Sequence, residues 1–372
     1  MGFQFQSLGS VAPELMADLG IQYAELGTLI GLYFTPGLAI ALPGAALGRR
    51  FGDARMVTVG LVLMAAGGAV AALAPNAGWL VAGRLASGTG GVLLNVLMAK
   101  MVADWFAGER EITLAMAVFI NSFPVGVGLA VLVLAPLAAA AGWSAGLAVT
   151  AGFALAALLL LRVGYAPHPN DGAGATASAP WRLPAHEAAL VSLAGVMWGI
   201  QNGAFAVMFG FAPAFLAEAG ASPAAAGLWI GGASWVAVAA GIVAGALVQR
   251  GLRSSVAMAM GVLGWASGLL ALAMGAPAGP ALVAAGVAMG MPTGVIMSLP
   301  AQALSPANRA LGMGLFYVWL YIGHGGLPPL GGWLRDRTGG PAAPLLLCAA
   351  LIVAMLPMFG LFRAWQARWN RP

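Results

Sequence analysis

Apolar residues run through this chain in long stretches broken by short polar turns. The stretches reach about 20 residues or more, the length a helix needs to cross about 30 Å of hydrocarbon at about 1.5 Å per residue. The pattern predicts spans over residues 24–48, 55–75, 78–103, 110–138, 142–163, 186–218, 222–249, 254–274, 278–303, 308–334 and 341–363. Residues 1–19 add a shorter apolar stretch, carrying Gln4, Gln6, Ser7 and Ser10 before Glu14 and Asp18. At about a dozen residues it is too short to span, and it lacks the basic start and cleavage site of a signal peptide. It reads as the second half of a first helix that begins upstream of Met1, the alternative being a genuinely short first helix. The spans then number twelve. The ten-residue alternation of a membrane β-barrel is absent, so the class is all-α integral membrane.

One connection is long. Residues 164–185, rich in Pro, Gly, Ala and Ser and carrying His168, Asp171 and Arg182, read as a flexible linker. It divides the chain into two six-helix bundles, 1–163 and 186–372. Composition agrees: 61% hydrophobic and 7% charged residues, with mean hydropathy +0.92, exclude a soluble domain with about 25% charged residues. The net charge of +5 comes from 16 basic residues scattered over the chain, not from the dense patch a nucleic-acid partner requires. Their placement orients the protein in the bilayer instead. With the 49–55 turn in the cytoplasm, Arg49, Arg50, Arg55, Arg110, Arg162, Arg182, Arg250, Arg253, Arg309, Arg363, Arg368 and Arg371 fall on that side, with Lys100 close by. Arg335 and Arg337 fall outside, and Arg84 lies within a span. This asymmetry places the C-terminus in the cytoplasm.

The two halves echo one another. Residues 43–49, Pro-Gly-Ala-Ala-Leu-Gly-Arg, resemble residues 244–250, Ala-Gly-Ala-Leu-Val-Gln-Arg, and Arg110 matches Arg309. Both offsets are about 200 residues, as in the duplicated bundles of secondary transporters. Leu47, Arg50 and Gly52, with Arg49 and Arg55, resemble the loop signature between the second and third helices of the major facilitator superfamily. Arg84-Leu85-Ala86-Ser87-Gly88 resembles that superfamily's fourth-helix signature. Gln4-Phe5-Gln6, Ala103-Asp104-Trp105-Phe106 and residues 325–332 further resemble its cyanate permease and nitrate/nitrite porter-like branch. The resemblance implies alternating access in a cell (inner) membrane, by a monomer. It also makes Leu47, Arg49, Arg50, Gly52, Arg55 and, in the second hinge, Arg250 gating elements. One departure stands out: Arg49 occupies the position where the superfamily usually has an aspartate that latches the halves together. The latch is then weaker here, or carried by Asp53.

Polar residues inside spans are the candidate site, because a charge there costs at least about 2.5 kcal/mol. Arg84, Gly88, Gly91 and Asn95 follow at steps of four, three and four on one helical face. That stripe can offer an anion a fixed guanidinium fork, or Arg84 can snorkel and pair with Glu14, Asp18 or Glu25. Lys100 lies about 24 Å further along the helix, too far to share a small ion. Tyr317, Tyr321 and His324 share a face of the eleventh span, and Trp198, Gln201, Asn202 and Phe205 one of the seventh, the repeat partner of Gln4 and Gln6. These groups suit a small polar ligand, or else packing and interhelical bonds. Asn121 and Pro124 are weaker candidates. No Asp or Glu lies in the middle of any span. If protons are coupled, His324 is the visible carrier. Metal-ligand spacing, a P-loop lysine and a Ser/His/Asp set are missing, so no enzyme activity and no cofactor are expected; lone Cys348 is a small buried hydrophobe. The expected function is secondary transport of a small anion such as cyanate, nitrate or a small carboxylate. A multidrug or metabolite/proton exporter on the same fold is the alternative; a channel lacks its continuous polar pore.

Overall fold

The computed structural model describes residues 1–106, 109, 111–166, 183–305 and 308–369. Its helices are α1 (Gly2–Ser10), α2 (Ala12–Leu19), α3 (Tyr23–Gly31), α4 (Gly37–Phe51), α5 (Asp53–Ala72), α6 (Ala77–Trp105) and α7 (Ile112–Ala141). They continue as α8 (Trp143–Gly164), α9 (Ala185–Glu218), α10 (Pro223–Gln249), α11 (Ser254–Ala273), α12 (Ala278–Ala303), α13 (Arg309–Thr338) and α14 (Ala343–Trp369). Among the described residues nine of these, α5 to α12 and α14, are long and apolar enough to cross a membrane singly. The other three spans are interrupted or more polar. The first is α1 and α2, hinged at Val11 before Pro13; the second is α3 and α4, broken ahead of Pro36; the third is α13, whose last turn carries Arg335 and Arg337. This is the all-α, twelve-span class read from the apolar pattern. Most of the expected linker, 167–182, lies outside the described residues, as do Arg110 and Arg371.

Helices apolar all round pack on some neighbours and expose the rest to lipid, and Leu159, Leu160 and Val163 on α8 are largely exposed accordingly. Inside, α5 packs on α6 and α8, and α1 on α7; later in the chain α12 packs on α10 and α11, and α9 on α13 and α14. The earlier and later helices meet along two seams, α3 on α13 and α7 on α10.

The first seam is backbone on backbone. A Cβ on Gly332 would collide with the Tyr23 carbonyl oxygen, one on Gly27 with that of Pro328, and one on Gly31 with that of Gly325. Only glycine permits such approach. The second seam joins Gly128 to Gly231, and the Ser234 hydroxyl donates to the Pro124 carbonyl at 2.7 Å. Both seams lie toward the end of the molecule that holds the 20–22 and 339–342 turns. Toward the other end, where the chain turns at Gly52 (φ +90°), α4 meets α13 along a much shorter stretch, with Gly37 against the Tyr321 ring.

Candidate functional site

The centre is organised by the break between α3 and α4. Pro36 has no N–H to give the Leu32 carbonyl, so the backbone tightens: Phe34 N bonds Gly31 O at 3.0 Å and Gly37 N bonds Phe34 O at 2.9 Å. Tyr33 N likewise turns to Ile30 O, leaving the Leu29 carbonyl without its helical donor. Arg84 supplies one. Its Nε donates to Leu29 O at 3.0 Å, Nη1 to Gln4 O at 2.9 Å and Nη2 to Phe5 O at 3.0 Å. The side chain is 2% exposed, and Cζ sits 4.7 Å from the Tyr33 ring centroid. The fork therefore ties α1, the α3 break and α6 together.

The partners of Arg84 are carbonyls and not the acids that snorkelling would bring to it. Asp18 accepts from Trp143 Nε1 at 2.7 Å and Glu25 accepts from Gln22 N at 2.9 Å in a capping box. The glycines of the stripe seat the break: a Cβ on Gly88 would collide with Tyr33 O, and one on Gly91 would lie 2.8 Å from the Tyr33 hydroxyl. Asn95 follows one turn on, half-buried.

Beside the break, aromatic rings from five segments converge. The Phe34 and His324 ring centroids are 4.2 Å apart, Phe5 and His324 5.7 Å, Phe5 and Phe123 5.6 Å, and Phe34 and Tyr321 6.4 Å. Phe123 continues to Phe205 at 6.3 Å and Phe205 to Phe209 at 4.3 Å. The cluster draws on α1, the break, α7, α9 and α13, so both seams border it. Its floor, Phe5, Phe34, Phe209, Tyr321 and His324, is buried; Phe123, Phe205 and Tyr317 form a half-buried rim. His324 is 2% exposed. The Leu320 carbonyl one turn back lies near its ring, yet neither imidazole nitrogen makes a regular hydrogen bond. An unpaired buried polar group of this kind costs about 1–3 kcal/mol.

The amides do not gather here. Gln4 Nε2 donates to Met64 O at 2.7 Å, Gln201 Nε2 to Thr293 Oγ1 at 2.7 Å and Asn202 Nδ2 to Trp198 O at 2.9 Å. Asn121 similarly bonds Ala117 O of its own helix at 2.9 Å. Gln6 Nε2 does cross between the halves, to Phe209 O at 2.7 Å. Trp198 stacks on Phe316 at 6.0 Å. Of the expected set, Tyr321 and His324 stand in the aromatic cluster with Tyr317 at its rim, whereas Gln4, Gln201 and Asn202 bind helices individually.

A second constellation closes the seam end. Asp336 accepts from the backbone N–H groups of Tyr23 at 3.1 Å and Ala24 at 2.7 Å, so α13 caps the start of α3. Arg335 pairs with Glu218, donates to the Tyr23 hydroxyl at 3.1 Å and lies 3.9 Å from that ring's centroid. Tyr23 in turn donates to Glu218 at 2.5 Å. Arg335 was one of two basic residues on the wrong side of the charge rule, the available signal for this cluster.

At the opposite end, Lys100 joins buried Asp53 at 2.5 Å and Asp104 at 2.8 Å. Leu47 is half-buried; Arg50, over the Phe51 ring, Arg55 and Arg250 are exposed, and Gly52 makes the turn. The Arg49 side chain lies outside what the structure describes.

Known proteins share this architecture. A family model described as Major Facilitator Superfamily matches residues 1–215. A curated relative from Aspergillus fumigatus, "Major facilitator superfamily multidrug transporter mfsC", is 26% identical over 141 residues, covering 38% of this chain and 27% of the relative's own length. Among solved structures, a mutant of the nucleoside transporter NupG superposes with TM-score 0.76 at 15% identity over 98% of this chain and 95% of that one. A bacterial homologue of the human lysosomal transporter Spinster, solved inward-facing and occupied, gives 0.73 at 16% identity over 98% and 93%.

Proposed function

The chain belongs to the Major Facilitator Superfamily, and from that premise we propose that it is a secondary transporter working by alternating access on a small organic solute with a planar apolar surface. It is a multi-pass membrane protein with two seams zipped at one end. The basic residues make the opposite end cytoplasmic, so the conformation reads as inward-facing, the state named for the Spinster homologue. The observation that carries the solute class is the aromatic cluster spanning both halves. Rings from α1, α7, α9 and α13 can sandwich a planar molecule, and they lie where rocking of the halves would expose them to either side in turn. The name of the fungal relative is in keeping with an organic cargo.

The small-anion reading drew on Arg84 as a lone interior cation and on likeness to the cyanate and nitrate porters. Each of its three nitrogens donates to a carbonyl, so the guanidinium is committed to the backbone and keeps only one further N–H on each Nη for an ion. Uptake into liposomes decides between the two. Saturable uptake of planar organic solutes, lost in Phe34→Ala, supports the proposal. Saturable uptake of cyanate or nitrate alone overturns it and restores the anion.

A further inference from the structure

His324 is the polar exception in an otherwise aromatic cluster. Its ring stands at 79° to that of Phe5 and at 43° to that of Phe34. Neutral imidazole always carries one N–H donor and one bare nitrogen acceptor. Both nitrogens are buried and make no regular bond; with the Leu320 carbonyl near enough to attract the N–H, the bare nitrogen is the acceptor left for a ligand.

The surroundings fix the charge a ligand can carry. The groups facing His324 are Phe5 from α1, Phe34 from the break, and its own neighbours Tyr321 and Leu320 on α13. Phe123 stands behind Phe5 and Phe34. Arg84 is held by the Leu29, Gln4 and Phe5 carbonyls and lies over the Tyr33 ring. No carboxylate is among the groups facing His324 to balance a cation, and no basic side chain to balance an anion. Bringing a net charge here means desolvating it without a partner.

We propose that His324 is the specificity-determining residue of the solute site, and that it selects a planar, uncharged molecule with an N–H or O–H donor in the plane of its ring. The inference rests on reading the aromatic cluster as the solute site. It also assigns the orientation of binding: the apolar faces lie between Phe5, Phe34 and Phe123, and the donor edge meets the bare imidazole nitrogen.

A matched probe set tests this on the full chain in detergent. Radiolabelled indole is the reference ligand, competed by 1-methylindole, which keeps the plane but loses the donor, by indole-3-acetate, an anion, and by tryptamine, a cation. Indole is expected to bind at least about tenfold more tightly than 1-methylindole, the scale of one buried hydrogen bond, and more tightly than either charged analogue. His324→Phe keeps the ring and removes both nitrogens; it is expected to erase the indole preference while still binding both neutral probes. His324→Gln, which retains a donor and an acceptor, is expected to restore part of it. Equal binding of indole and 1-methylindole by the native protein overturns the inference and leaves the aromatic site standing. So does preference for a charged analogue. Failure of all four probes to bind overturns the aromatic site and the inference together. Because the native indole to 1-methylindole ratio decides by itself, the test survives a His324→Phe variant that does not fold.

Discussion

At the scale of single residues, Arg84 is a membrane charge held by backbone carbonyls. Each of its three nitrogens donates to a carbonyl, one of them orphaned by the break ahead of Pro36. Lysine cannot reproduce this, because its single ammonium on a flexible stem does not fork in a plane. Arg84→Ala leaves buried carbonyls unpaired at about 1–3 kcal/mol each. It is expected to lower the unfolding temperature in detergent and to depress uptake of every solute, with Arg84→Lys intermediate. Loss of anion uptake alone, with stability unchanged, would instead return Arg84 to the binding site. The spacing of Arg84, Gly88 and Gly91 on one face was legible in the sequence. What that face meets was not: Tyr33 and the Leu29 carbonyl arrive from a different span, 55 residues away for Leu29, and such pairings leave no trace in periodicity.

Between elements, the α3 to α13 seam carries both close backbone approaches and a helix cap supplied from the other half. Asp336 satisfies N–H groups that the first turn of α3 leaves unpaired, and its charge lies favourably at that helix's positive end. Asp336→Asn keeps the shape and removes the charge, which is expected to loosen this end. The readout is thiol labelling of Ile30→Cys, at a buried position that approaches Gly210 of α9. Native Cys348 is buried as well. Bonds to charged groups contribute about 1.5–3 kcal/mol, so labelling should rise by about tenfold or more; an unchanged rate would reduce the cap to ornament.

Glycine substitutions probe the same seam without touching charge. Gly31→Ala drives a methyl into the Gly325 carbonyl, whereas Gly326→Ala, one residue along α13, meets open space. The first should open the seam as Asp336→Asn does, at an overpacking cost of about 1–3 kcal/mol, and the second should not. Equal labelling in both would mean that α3 and α13 do not need backbone contact. The spans themselves were readable to within a few residues, but 24–48 was read as one helix. Pro36 is its break, and composition alone does not distinguish a kink from a full interruption.

For the whole molecule, the positions of charge along the chain predict which end faces the cytoplasm, and the two exceptions, Arg335 and Arg337, lie at the seam end. Substrate class was less legible, because a lone interior arginine looks the same in sequence whether it grips an ion or a backbone. Under the proposed alternating access the two ends compete in one equilibrium: whatever stabilises closure at the seam end disfavours closure at the basic end. Lys100 and Asp53 already join α6 to α5 at the basic end, within the earlier helices, while the resemblance marks Arg49 as standing in place of a latching acid. If that position acts on the closure of the basic end, Arg49→Asp strengthens it and shifts the population toward opening of the seam end. Combined with Asp336→Asn, which weakens the seam from far away, the two effects should multiply in the labelling rate of Ile30→Cys, since distant sites acting on one equilibrium add in free energy. A double variant no faster than Asp336→Asn alone would show that the 49–55 turn orients the protein without gating it, and that the resting bias toward the inward-facing state is set at the seam.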